Sequence, residues 1–469
     1  MTERPGPVAK DPDSSHPRSE PAPGRARQRD HLSLGAAIVW FAVAYGGAML
    51  GYLAVNAFAA RLLGDRFGYF VTAVTISTVL GQLGLMGVHR GGLREAARLR
   101  PDDVEGLREL RGGVRAVSWL TLPATAVATA AVTFALLGDT ETGSRWAIAV
   151  ATGALVWLSG QQKLCASYLR GFGQIRLASL LEGRSGGVLV AAAQGILLGA
   201  VLVFFSGWGL AGALGALALG FAIPLVVAWP RVTRPWRHLD GSHALLRELR
   251  TATRRNWRFA SNLLGGYLNS VVEIWIAALV LTAAGASLFS AAQRLSVLLV
   301  VPLVSLGVVF SPVVSRLFGS DDRRLEALLR TGATLAAAVT AVVWLPMLLL
   351  PEPLLVAVYG PEFAPAAPAL VLLTIGGLAN VLSGLSGTAL MMSRHEDVVW
   401  VVQWAAVAVR VPAGVVTAML FGPEWLALSA AVVTAGLYFT LWLLALRRAG
   451  LRTHLTLRPR LRLLRETSG

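Results

Sequence analysis

Apolar runs of about twenty residues or more recur along the whole chain, with short arginine-rich clusters between them, and that alternation restricts the folds open to it. A hydrocarbon core of about 30 Å needs about 20 apolar residues in a helix, and about twelve stretches meet that requirement. They lie near 34–60, 67–89, 116–137, 145–169, 177–204, 207–229, 259–283, 287–315, 331–350, 363–392, 398–421 and 425–446. Of 469 residues, 55% are apolar and only 14% charged, whereas a soluble domain carries about a quarter charged residues to cover its surface. The expectation is an all-α integral membrane protein, and an ordinary soluble enzyme is excluded.

The 42 Lys and Arg against 26 Asp and Glu leave a formal charge of +16. These cations cluster between the apolar runs, as in membrane loops, so no nucleic-acid partner is expected. Sorting them by loop parity, with the N-terminus inside, places segments 4–29, 90–115, 163–176, 231–258, 316–330, residue 394 and 447–465 on one side. About 36 then lie inside, about three outside (Arg61, Arg66, Arg145) and about three within spans. So lopsided a partition predicts that both termini are cytoplasmic, in a cytoplasmic (inner) membrane. Trp40, Trp119, Trp229, Trp257 and Trp442 fall near inner span ends and Trp146, Trp208 and Trp425 near outer ones, as interfacial anchors do.

Residues 1–33 read as a disordered tail, and the first apolar run is too long for a signal-peptide core. The long inner connections 90–115 and 230–258, and the basic end from Arg447, read as amphipathic segments drawn to anionic lipid. A single cysteine, Cys165, excludes an internal disulfide, and the seven histidines show no metal-ligand spacing.

About twelve spans divide into two six-helix bundles that enter the membrane in the same sense. Residues 34–229 form the first bundle, 230–258 a cytoplasmic linker, 259–446 the second bundle and 447–469 a basic tail. The first and seventh spans carry matching polar stripes. Tyr45, Tyr52 and Asn56 follow steps of seven then four, and Asn262, Asn269 and Glu273 repeat them. At about 100° per residue each trio keeps to one helix face. Thr75, Thr78, Gln82 and His89 make a similar stripe on the second span. Such faces avoid lipid tails, so they point to a shared wet cavity or to hydrogen bonds between helices.

Ionisable groups inside spans cost several kcal/mol unless paired or hydrated, which makes them site candidates. Glu182 and Arg184 lie near enough to the interface to snorkel. Glu273 and Arg294 sit on consecutive spans, each roughly 10–18 Å from the outer turn, and could form an ion pair. That pair either fixes packing or holds Arg294 ready for an anionic head group. Arg410 shares a face with Gln403, beside Pro412, and an unpaired Arg there would suit a phosphate. Glycan polymerase or ligase chemistry finds little support, because the outer connection 351–363 holds two glutamates and no His or Arg. No GxxxxGK[ST] loop is present.

RLLGDRFGYF (61–70) resembles the turn between the first two helices of the polysaccharide and oligosaccharide-lipid flippases, in the superfamily that includes the multidrug and toxic-compound extrusion proteins. GQLGLMGVHRGGLREAA (81–97) resembles that family's exit from its second helix, with Gln82 where an acid is frequent. YLRGFGQIRLASLLEGRSG (168–186), FSAAQRLSVLLVVPLVSLGVVFSPVVSRLF (289–318) and LLVAVYGPEFAPAAPALVLL (354–373) continue the likeness, which runs from about 34 to 446.

The resemblance implies two bundles around a central cavity lined by the first, second, seventh and eighth helices. It also implies alternating access, and a polyprenyl-pyrophosphate-linked oligosaccharide as cargo. Arg294 and Arg410 would then neutralise pyrophosphate, and Asn56, Gln82, Asn262 and Asn269 would bind sugars. Tyr45 and Tyr52 would complete the lining, and Glu273 would pair with Arg294 or bind a coupling cation. No cofactor is expected beyond a cation gradient or the membrane potential. Anionic lipids and glycan-assembly enzymes are the expected partners. The rivals are a cation-coupled multidrug exporter of the same superfamily and a membrane glycan polymerase or ligase.

Overall fold

A computed structural model describes residues 34–96, 103–137, 142–172, 174–181, 187–236, 239, 245–456 and 458–459. The expected tail at 1–33, Glu182 and Arg184 lie outside the described residues, as does the side chain of Tyr45. Among the described residues there are helices and turns and no β-strand.

The first half comprises α1 (Leu34–Leu63), α2 (Phe67–Gly84), α3 (Val88–Ala96), α4 (Val104–Ala116), α5 (Leu122–Leu136), α6 (Thr142–Gly171), α7 (Ile175–Leu181), α8 (Gly187–Phe204) and α9 (Gly209–Thr233). The second half comprises α10 (Leu245–Val280), α11 (Ala283–Ser296), α12 (Val301–Leu317), α13 (Asp322–Leu349), α14 (Pro351–Tyr359), α15 (Ala367–Ser383), α16 (Ser386–Met392), α17 (Glu396–Phe421) and α18 (Pro423–Arg448).

Among the described residues, ten stretches are long and apolar enough to cross a membrane. The first, Gly46–Gly84, is 39 residues long and comprises two helices, α1 and α2, joined by one tight turn at Gly64–Arg66. The 30-residue α6 is absent from the ten because Arg145 on one side and Gln161, Gln162 and Lys163 on the other leave too short an apolar run between them. These two features account for the difference from the twelve expected spans.

Two prolines mark where long helices change pitch, since the ring crowds the preceding turn and proline lacks an N–H. Ahead of Pro123 the helix widens over Val117–Thr121, joining α4 to α5 through a π segment. Thr121 in that segment donates to the Gly84 carbonyl at the end of α2, at 2.5 Å. Ahead of Pro302 the helix tightens over Val297–Val300, which separates α11 from α12. The Thr340 hydroxyl of α13 donates to the Leu299 carbonyl in that break, at 3.0 Å.

The connection 90–115 does form amphipathic helices, but their apolar faces are covered by protein. Leu107, Leu110 and Val114 of α4 share a core with Leu164, Tyr168 and Leu169 of α6 and Leu225 and Val232 of α9. The expected linker boundary at 258 falls inside α10, which runs unbroken from Leu245. Its first turns lean on the first half, where Arg255 bridges to Glu95 at 2.6 Å and to Glu109 at 3.3 Å.

The two ends of the molecule are built differently. At the end bearing Gly64–Arg66 and α14, one apolar core runs through both halves and includes Phe67, Phe70, Phe289, Leu299, Tyr359 and Phe363. At the basic end the cores are separate, one in the first half and two in the second. The fully buried core shared by both halves lies at one end, while at the basic end Leu249 and Ala252 of α10 pack, partly buried, on the first-half core.

Candidate functional site

Arg294 is a deeply buried charged residue that links the halves. It lies on α11 with Ser287 seven residues earlier, so both point the same way, toward α1 and α2. Its Nη1 donates to the Tyr52 hydroxyl at 2.8 Å and its Nη2 to the Val71 carbonyl at 3.5 Å. The guanidinium carbon stands 5.6 Å from the Tyr52 ring centroid. Only 7% of Arg294 is exposed, and its Nε has no partner.

Toward the fused end the contact becomes tighter. The Gly68 N–H donates to Ser287 Oγ at 2.8 Å, and that hydroxyl donates onward to the Asp65 carbonyl at 2.7 Å. A Cβ on Gly68 would stand 2.8 Å from the Ala286 backbone, so glycine is what permits this approach. Arg61 reaches the Ala357 carbonyl at 2.9 Å, and the Phe67 ring packs 5.9 Å from Tyr359 and 5.8 Å from Phe363. Deeper along the interface, the Trp275 indole N–H donates to Thr75 Oγ1 at 2.9 Å. Lys163 donates to the Tyr267 hydroxyl at 3.1 Å.

The polar stripe of the seventh predicted span faces elsewhere. Asn269 donates both to the Gly265 carbonyl at 2.9 Å and to the Gln403 carbonyl of α17 at 2.8 Å. One turn on, Glu273 accepts from Arg410 Nη1, while Arg410 Nη2 donates to Thr434 Oγ1 of α18 at 3.0 Å. Glu273 is 2% and Arg410 3% exposed. The stripe on α10 and the Gln403–Arg410 face of α17 are therefore two sides of one seam inside the second half.

This corrects two expectations. Glu273 pairs with Arg410 and not with Arg294, and Arg410 is not unpaired. The reason is rotational: Glu273 and Arg294 occupy neighbouring helices, but the first faces α17 and the second faces α1. Pro412 does not break α17, which stays helical to Phe421. The seam is incompletely satisfied, since Asn262 Oδ1, Asn269 Oδ1, Gln403 Oε1, Trp404 Nε1 and Arg410 Nε are all buried without partners.

On the first half, Tyr52 and Asn56 are buried, and Asn56 Nδ2 donates to the Tyr52 carbonyl of its own helix at 2.7 Å. Gln82 is buried with neither amide atom partnered. His89 lies beyond the end of α2, and burial, with Arg90 and Lys163 adding repulsion, holds its imidazole well below the usual range. The structure thus joins Arg294 with Tyr52, and Glu273 with Arg410, and brings Asn269 to Gln403. Ser287, Thr434, Trp275 and the Lys163–Tyr267 contact were not singled out from sequence. The seven-residue spacing of Ser287 and Arg294 was the available sign.

No family model and no curated protein matches the chain. Solved structures do. A MATE transporter from Vibrio cholerae in its bent form is 16% identical over 89% of this chain and 98% of its own, with a TM-score of 0.59. An inward-facing multidrug resistance MATE family transporter of the MOP superfamily is 14% identical over 86% of this chain and 94% of its own, with a TM-score of 0.63. A MOP superfamily transporter from Pyrococcus furiosus, described as having a binding pocket of reversed polarity, is 15% identical over 91% and 98%, with a TM-score of 0.52. The chain is a multi-pass membrane protein with the fold of the MATE transporters of the MOP superfamily.

Proposed function

We propose that this chain is a transporter that moves a polyprenyl-pyrophosphate-linked oligosaccharide across the cytoplasmic membrane, from the cytoplasmic to the outer leaflet. The hydrated head group passes between the halves while the polyprenyl tail stays in lipid. Arg294 carries the reading: it is buried between α1, α2 and α11 with no carboxylate partner among the described residues. A guanidinium fork suits a pyrophosphate, and the neutral Tyr52 hydroxyl is a partner that an anion can replace. Gln82, whose amide is unpartnered, Asn56 and the further stripe position Tyr45 would meet the sugars. Asn262, Asn269, Glu273 and Arg410 belong in this reading to the seam that stiffens the second half. Anionic lipids and glycan-assembly enzymes remain the proposed partners.

A cation-coupled multidrug exporter is the second reading, favoured by the multidrug resistance transporter among the structural neighbours. Such a protein needs a buried carboxylate free to take a cation. Among the described residues, Glu273 is the acid buried within a span, and Arg410 already neutralises it.

The test is an Arg294→Ala strain with unchanged protein levels. Lipid-linked glycan should accumulate on the cytoplasmic leaflet, and Arg294→Lys should restore part of the export. Unimpaired glycan export in Arg294→Ala, together with new drug sensitivity in a deletion strain, would overturn the first reading in favour of the second.

A further inference from the structure

A largely apolar cavity with two arginines at its rim lies away from the interface between the halves, on the flank of the first half at its basic end. It has a volume of about 270 Å³ and occupies the wedge between the α4–α5 helix and the end of α9. Ligand pockets for whole small molecules run from about 300 Å³ upward, so this one has room for a compact group and not for a whole lipid.

The two walls come from regular helix faces. Arg111, Arg115, Ser118 and Trp119 recur at steps of four, three and one along the α4–α5 helix. Trp229 and Trp236 supply the facing wall, seven residues apart. The π segment Val117–Thr121 contains Ser118 and Trp119, and the extra residue in that turn rotates Trp119 outward, where it is 64% exposed. Trp236 is buried beneath, stacked edge-on 5.3 Å from Phe172, so the floor is fixed.

The chemistry changes along the cavity. Trp119 and Trp229 lie at the end of the apolar stretch, and Arg111 and Arg115 lie one to two turns beyond it. Indole rings favour the headgroup boundary of a bilayer, and the arginines then stand at the level of lipid phosphates. Arg111 is held in place because its Nη1 donates to the Leu239 carbonyl, which leaves its other N–H donors for a ligand. An aromatic slot floored by the buried Trp236, beneath two guanidinium groups, is complementary to a phosphodiester with acyl chains below it.

We propose that this cavity is a binding site for an anionic glycerophospholipid of the leaflet at the basic end. Arg111 and Arg115 hold the phosphate, and Trp119 and Trp229 flank the glycerol and upper acyl chain. Choline lipids, whose head groups carry a compensating cation, are disfavoured there.

The experiment uses the full-length purified protein, delipidated and titrated with phosphatidylglycerol or phosphatidylcholine, with bound lipid counted by native mass spectrometry. Phosphatidylglycerol should be retained about ten-fold better than phosphatidylcholine. That preference should vanish in Arg111→Gln/Arg115→Gln and persist in Arg61→Gln, which removes a cation at the other end. Because the double variant removes the Leu239 contact, Trp119→Leu provides a second arm that keeps both cations. It should lower retention of both lipids without changing the melting temperature. Equal retention of the two lipids, undiminished phosphatidylglycerol binding in the double variant, or displacement by millimolar inorganic phosphate would each overturn the proposal. The last outcome would assign the site to a soluble phosphate.

Discussion

Glu273 and Arg410 show how a charge survives in an apolar bundle. Desolvating either ion alone costs several kcal/mol, and the pair persists because each supplies the other's counter-charge and Thr434 takes a second guanidinium donor. Removing one partner is therefore worse than removing both. Glu273→Gln should destabilise the purified protein by about 3–5 kcal/mol, with Arg410 left uncompensated. Glu273→Leu with Arg410→Met should recover most of that loss, read as the melting temperature of single and double variants. If the double variant melts no higher than the singles, the pair is not an isolated charge couple. Arg294 differs because its partners are a hydroxyl and a carbonyl. On the proposed function, it retains the charge that a cargo phosphate would meet.

Among the elements, the break between α15 and α16 depends on a residue beyond the last helix. Gly384 has φ +67°, a conformation L side chains rarely adopt, and a Cβ there would collide with the Thr453 carbonyl. The chain after α18 folds back across this break. Thr453 donates to the Ser383 carbonyl at 2.8 Å, the Thr456 N–H donates to Thr334 Oγ1 at 2.9 Å, and Leu451 joins the core of α12 and α13. The segment is a strap across the basic end of the second half. Gly384→Val should displace it, and limited trypsin treatment of folded protein should then cut faster at Arg452 than in the parent. Equal cleavage of parent and variant would mean the strap is not held there.

For the whole molecule, the asymmetry of its ends sets the direction of any motion. One apolar core joins the halves beside the Gly68–Ser287 contact, and separate cores stand at the basic end. On the proposed function, cargo would leave through the fused end, so that end would have to part. Asp65→Cys with Ala284→Cys, both exposed positions on the two sides of the contact, should stop glycan export when bridged by a short bifunctional maleimide. A monofunctional maleimide should leave export intact. Export that continues after complete cross-linking would show that this end does not open.

Hydropathy period, arginine distribution and proline position were all legible in the chain. A segment of about 20 apolar residues has few options in a bilayer other than a helix that satisfies its own backbone. The stripes on the first, second and seventh predicted spans were legible for the same reason, since helical period alone brings Asn262, Asn269 and Glu273 to one face. What that face meets depends on the rotation and neighbours of the whole helix, and lipid-like side chains specify these weakly. Tertiary packing therefore decided that the α10 stripe closes on Gln403 and Arg410, that Arg294 crosses to Tyr52, and that Gly68 rests on Ala286. Local sequence determines helices through backbone hydrogen bonds a few residues apart. The partners of buried charges lie as far as 242 positions away along the chain, and only the folded chain brings them together.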